Sequence, residues 1–135
     1  MNKDHTYSSM IYDIKGMCIR IHKALGAGLL ESAYKKALVV LLKKSGYKVI
    51  EEAGIDIKFE DVEITNAFRA DLIVNDMLII ELKAVEKLEK PHFLQFGTYL
   101  QLSGIPYGLL VNFHSKDIFQ GMYTASLQKL RELYH

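Results

Sequence analysis

Residues 68–84 read FRADLIVNDMLIIELKA, two apolar runs separated by Asn75-Asp76. Phe68 to Val74 and Met77 to Ala84 each have strand length, and Asn-Asp is common where a chain reverses tightly, so the segment predicts an antiparallel β-hairpin. Beyond Arg69 near its start, three charged side chains interrupt its apolar pattern: Asp71 lies between Ala70 and Leu72, while Glu81 and Lys83 flank Leu82. Side chains alternate along a strand, which puts Glu81 and Lys83 on one face about 7 Å apart and Leu78, Ile80, Leu82 and Ala84 on the other. A carboxylate and an ammonium are costly to bury without partners, so this strand end either opens to solvent or carries a site. The register decides whether Asp71 joins them. A three-residue loop centred on Asp76 gives pairs whose numbers sum to an even value, with Asp71 opposite Glu81. A two-residue turn at Asn75-Asp76 gives odd sums and sends the two carboxylates to opposite faces.

On the N-terminal side of the hairpin, Ile11, Ile14, Met17, Cys18, Ile21 and Leu25 recur at three- and four-residue steps. They predict an amphipathic helix from Ser9 to Leu25, capped by Ser8 or Ser9 and ended by Gly26-Ala27-Gly28. A second helix starts near Leu29 or Leu30, with Leu30, Ala33, Ala37, Leu38, Leu41 and Leu42 as its stripe, and stops at Gly46. Tyr47 to Phe59 reads as extended, with an interruption around Ala53-Gly54. Beyond the hairpin, Pro91 suits a first helical turn, and a helix runs through Phe93, Phe96 and Leu100 to Ser103-Gly104. Tyr107 to Phe113 is a further strand, Ile118 to Tyr123 a candidate edge strand and Leu127 to Leu133 a short helix. The order is ααβββαβ(β)α. Strands separated by a helix require a crossover, so the expected class is α/β with a mixed central sheet flanked by helices.

The chain has 135 residues, half of them hydrophobic, a size and composition that suit one domain over residues 1–135. It lacks an apolar run of membrane-spanning length and a signal-like N-terminus, so a cytoplasmic protein is expected. Cys18 is the single cysteine, which excludes an internal disulfide and any cysteine-built metal site and suits a small core residue. His5, His22, His92, His114 and His135 show no metal-ligand spacing and are read as structural or surface residues. The net charge of +1 is unevenly spread: residues 1–50 carry +6, residues 51–89 carry −7 and residues 90–135 carry +2. An acidic centre between basic ends suits a cation held beside a polyanion, and lysines on solvated helix faces produce the same bias. Glu86, Lys87, Glu89 and Lys90 read as a solvated loop.

Two carboxylates packed side by side repel unless one is protonated or a cation lies between them. Oxygen ligands select Mg²⁺, Mn²⁺ or Ca²⁺, and a cation of this kind beside a lysine suits phosphodiester hydrolysis. Asp71, a short hairpin and Glu81-Leu82-Lys83 together resemble the PD-(D/E)xK, or restriction-endonuclease-like, nuclease superfamily. GLLESAY at Gly28 to Tyr34 is similar to the signature of its small GxxExxY group. The nominal proline of the first motif is Ala70 here. The resemblance covers nearly the whole chain and implies a Mg²⁺-dependent (or Mn²⁺-dependent) nuclease acting on nucleic acid, DNA in the first instance. It implies Asp71, Glu81, the Leu82 carbonyl and Glu31 as metal ligands, with Asp71, Glu81, Lys83 and Glu31 catalytic. Gln95 and Tyr99, matching a QxxxY element, and Tyr34 are then substrate contacts.

Each motif also has a plainer reading. Gly28 can simply end a helix and Glu31 favour the positive start of the next, with Tyr34 in the core, and Gln95 and Tyr99 share a helix face whatever they bind. The alternatives are therefore a non-catalytic nucleic-acid-binding or accessory module using Arg20, Lys35 and Lys36, or a structural homodimer.

Overall fold

The computed structural model describes residues 3–134, with side chains from 6 to 133. Two helices, α1 (Lys3–Leu25) and α2 (Glu31–Lys44), precede three antiparallel strands, β1 (Val49–Phe59), β2 (Val62–Val74) and β3 (Leu78–Lys83). Helix α3 (Lys90–Ser103) then leads to β4 (Tyr107–Asn112), a 3₁₀ turn (Ile118–Gly121), β5 (Met122–Ser126) and α4 (Leu127–Tyr134). The sheet order is β1-β2-β3-β4-β5, antiparallel except for the parallel β3–β4 pair that α3 bridges. This is the expected α/β architecture with a mixed sheet.

Packing lies on both faces of the sheet. Met10, Ile14, Cys18 and Ile21 of α1 and Leu38 and Leu42 of α2 cover Leu72, Leu78, Ile80, Leu82, Leu109 and Val111. On the opposite face Phe96 and Leu100 of α3 cover Ala70, Ile73, Ile79 and Leu110. Helix α3 starts at a capping box in which Glu89 and His92 satisfy each other's backbone, with Pro91 in the first turn, and Gly104 ends it at φ +70°. Gly108 lets α3 approach β4: a Cβ there would lie 2.7 Å from the Phe96 ring. Cys18 is a core residue, and burial pushes its thiol up to about 12.

Three boundaries differ from the sequence reading. Helix α1 begins before Ser8 and Ser9, which are interior and exposed; Tyr7 stacks on Tyr107 of β4, 3.7 Å between rings, and this tertiary contact extends the helix beyond its local cap signal. Strand β2 begins at Val62 and not Phe68, because β1 and β2 form a long hairpin that turns at Glu60-Asp61. Its polar composition hid it. The edge strand is Met122–Ser126, and the 3₁₀ turn occupies the residues before it. His22 and His114 bond to the backbone carbonyls of Ser115 and Leu29, and His92 serves the capping box. The side chains of His5 and His135 lie outside the described residues.

The β2–β3 register is the even one: Leu72 pairs with Ile80, Ile73 with Ile79 and Val74 with Leu78. The loop is Asn75-Asp76-Met77, with Asn75 and Asp76 at positive φ and Met77 N–H closing on the Val74 carbonyl. Asp71 and Glu81 come next along their strands, where this pairing ends.

Candidate active site

Beyond Leu72–Ile80 the backbone ladder gives way to side chains. Asp71 N–H donates to Glu81 Oε1 at 3.1 Å, and Leu82 N–H donates to Asp71 Oδ2 at 2.9 Å. Each carboxylate thus ties the strand opposite its own, and the two strands are laced together by acids where backbone pairing ends. The Lys83 carbonyl accepts from Phe113 N–H on the β4 side. Carbonyls alternate along a strand, so that of Leu82 faces the other way, toward β2 and the side on which its own N–H meets Asp71.

Glu81 is 4 % exposed in an otherwise apolar strand. Its carboxyl is pushed up to about 8, first by desolvation and then by the negative charge of Asp71; a hydrogen bond between the two carboxyls adds to this, and the Asp71 N–H and Lys83 oppose it. Without a cation, burial and the neighbouring negative charge favour the protonated form of Glu81. Lys83, on the same strand face, donates to Gln95 Oε1 of α3 at 3.1 Å. One turn along α3, Tyr99 stacks on Phe68 of β2 with rings 4.0 Å apart. Burial raises the Tyr99 phenol above its ordinary range, and the charges of Glu81 and Asp71 raise it further.

Glu31 is exposed at the first position of α2. Desolvation and then the charge of Asp71 hold its carboxyl above the ordinary range, with Lys83 and Lys35 acting in the other sense, so Glu31 is within the electrostatic reach of Asp71. Among the described residues, however, no three His, Cys, Asp or Glu side chains are grouped closely enough to hold a metal ion. Glu31 is therefore near the pair without joining it in one cluster. The donor chemistry of the pair itself fits a hard divalent cation, since Mg²⁺ uses one or two carboxylates and completes its shell with carbonyls, waters or phosphate.

The substrate contact expected of Tyr34 is replaced by a structural role. Its side chain is wholly buried and stacked on Phe113, and its hydroxyl donates to the Gly26 carbonyl at 2.7 Å while accepting from Leu29 N–H at 3.0 Å. It pins from inside the loop that presents Glu31.

Lys35, Glu52 and Phe68 belong to this region and have no part in the sequence motifs. Lys35, one helical turn from Glu31, pairs with Glu52, and that hydrogen bond holds its ammonium above the ordinary range. Glu52 lies in β1 between residues paired with Leu72 and Ala70, hence across from Asp71, at a positive φ of 49°. Spacing from Glu31 could have found Lys35. Glu52 and Phe68 become visible only once the β1–β2 register and the α3 packing are known.

A mixed α/β sheet with two acids and a lysine gathered where its central strands part defines a nuclease-type core. The chain matches the family profile described as the PD-(D/E)XK nuclease superfamily over residues 8–124, and it belongs to that superfamily. No curated protein and no solved structure gives a significant match. Among the described residues no helix is long and apolar enough to cross a membrane.

Proposed function

We propose that this chain, as one domain of the GxxExxY branch of the superfamily, is a Mg²⁺- or Mn²⁺-dependent phosphodiesterase that cleaves nucleic acid, with DNA as the first substrate to test. The observation that carries this reading is the reciprocal bonding of Asp71 and Glu81 to each other's strands beside Lys83. Asp71, Glu81 and the Leu82 carbonyl would hold the ion, and Glu31 would act on it through charge or a bridging water. Such an ion, when bound, lowers the pKa of a water and neutralises charge on a phosphoryl group.

The chain's own residues do the rest. Burial keeps Glu81 in apolar surroundings that strengthen any charge interaction made there. Lys83, steadied by Gln95, supplies a positive charge for the negative charge that develops on the phosphoryl oxygens. Tyr99, partly exposed with its ring stacked on the buried Phe68, offers an aromatic surface suited to a base or sugar. Glu31, with its raised proton affinity, would exchange a proton with the leaving oxygen or with a water.

The experiment is cleavage of end-labelled single- and double-stranded DNA, with RNA in parallel, in Mg²⁺, Mn²⁺ or a chelator. Metal-dependent cleavage lost in Asp71→Asn and Lys83→Ala is the expected result. Binding of nucleic acid without cleavage by the wild type would replace this reading with the accessory-module alternative.

A further inference from the structure

The β1–β2 hairpin extends past the part of the sheet that the helices cover. On its outer half the paired residues Ile57–Ile64 and Phe59–Val62 alternate onto one face, and Phe59 and Val62 are 65 % and 61 % exposed. Between Ile55 and Ile57 the register shifts, and Asp56 Oδ1 accepts from Asn66 N–H at that bulge. The register shift separates the arm from the core half of the hairpin. Residues 55–67 carry Asp56, Glu60, Asp61 and Glu63 against Lys58 alone. Alternation puts Asp56 and the Lys58–Glu63 pair on the other face, so the acids that meet the stripe are Glu60 and Asp61 at the tip. An apolar stripe with this acidic tip is repelled by phosphate and suits a basic, apolar protein surface.

The chain has such a surface. Between α1 and α2 lies a groove of about 340 Å³ lined by Ile21, Ala24, Leu25, Ala37, Val40 and Leu41, with Arg20 at its wall. Val40 is half exposed. Lys36 and Lys44 stand one turn before and after Val40 on the same helical row, and both are exposed. The groove is thus apolar at its floor and basic along its rim, the complement of the arm in both respects.

We infer that the arm of one copy docks in the α1–α2 groove of a second copy, and that a two-fold axis repeats the contact to close a dimer. Two-fold closure uses both arms and both grooves and leaves neither apolar surface uncovered. The inference is independent of whether the acid pair hydrolyses phosphodiesters.

The test is mass in solution by multi-angle light scattering across a concentration series. The wild type is expected at twice 15.4 kDa. Phe59→Asp and Val40→Glu, both at exposed positions, are each expected to be monomeric with unchanged circular dichroism. The arm variant Glu60→Lys/Asp61→Lys and the groove variant Lys36→Glu/Lys44→Glu should each be monomeric alone. Mixed in equal amounts they should form a heterodimer, since both contacts then join opposite charges. A wild type that stays monomeric at every soluble concentration overturns the inference. A dimer indifferent to Phe59→Asp, or a mixture that fails to associate, overturns it equally. So do arm variants that change nucleic-acid binding and leave the mass untouched.

Discussion

At the level of single residues, Glu81 is where the fold and the proposed chemistry conflict. Its folded proton affinity, pushed up to about 8, exceeds that of an unfolded glutamate, so its favourable contribution is present below the ordinary carboxylate range and is lost as pH rises toward 8. The metal-free protein should therefore melt at a higher temperature near pH 5 than near pH 8, with a slope of up to about 1.4 kcal/mol per pH unit for one proton. Glu81→Gln should flatten that dependence; melting curves of both proteins across this range in chelator are the check, and parallel slopes would refute it. Asp71→Asn keeps an oxygen to accept from Leu82 N–H while removing a charge beside Glu81, so it should leave the metal-free protein as stable as the wild type or more so. Tyr34→Phe behaves differently. It strips two backbone groups of their shared hydroxyl and should cost about 1–3 kcal/mol in a denaturant titration.

Among the elements, α3 carries the test of how packing positions the site. Gly108→Ala would drive a methyl into Phe96 and Leu100, and overpacking of this kind costs about 1–3 kcal/mol. Because Gln95 and Tyr99 ride on the same helix, the variant should also lower the rate of cleavage, measured at saturating DNA, more than its stability loss alone explains. The helices, the order of elements along the chain and the 68–84 hairpin were legible in the sequence because each has its own periodicity and turn residues. Strand β2 before Phe68 was not legible: Val62 to Ala67 alternates polar residues on an arm that the core never touches, so no apolar run marks it. The start of α1 was missed for a related reason, since Tyr7 finds its partner Tyr107 a hundred residues away.

For the molecule as a whole, the sequence named Asp71 and Glu81 but left the hairpin register open between a three-residue loop and a two-residue turn, and the structure has the three-residue loop. What the sequence could not supply was the third dimension. Tyr34 reads as one motif with Glu31, and burial separates their roles; Glu52 carries no signal in the sequence, and the β1–β2 register sets it across from Asp71, where Lys35 pairs with it. The charge asymmetry between residues 1–50 and 51–89 likewise resolves into places, with acids in the pair and on the β1–β2 arm and bases along the α1–α2 groove. The central claim is that Asp71 and Glu81 together bind one divalent cation, and thermal melting with and without Mn²⁺ or Mg²⁺ tests it most directly. At about ten times the dissociation constant the ion should stabilise the wild type by roughly 1.4 kcal/mol, a rise of roughly 2–8 °C, with no rise in Asp71→Asn or Glu81→Gln and a retained rise in Lys83→Ala. A wild type that gains nothing from either ion, with Asp71→Asn destabilised by more than about 2 kcal/mol, would contradict the account and make Asp71 a structural tie between β2 and β3.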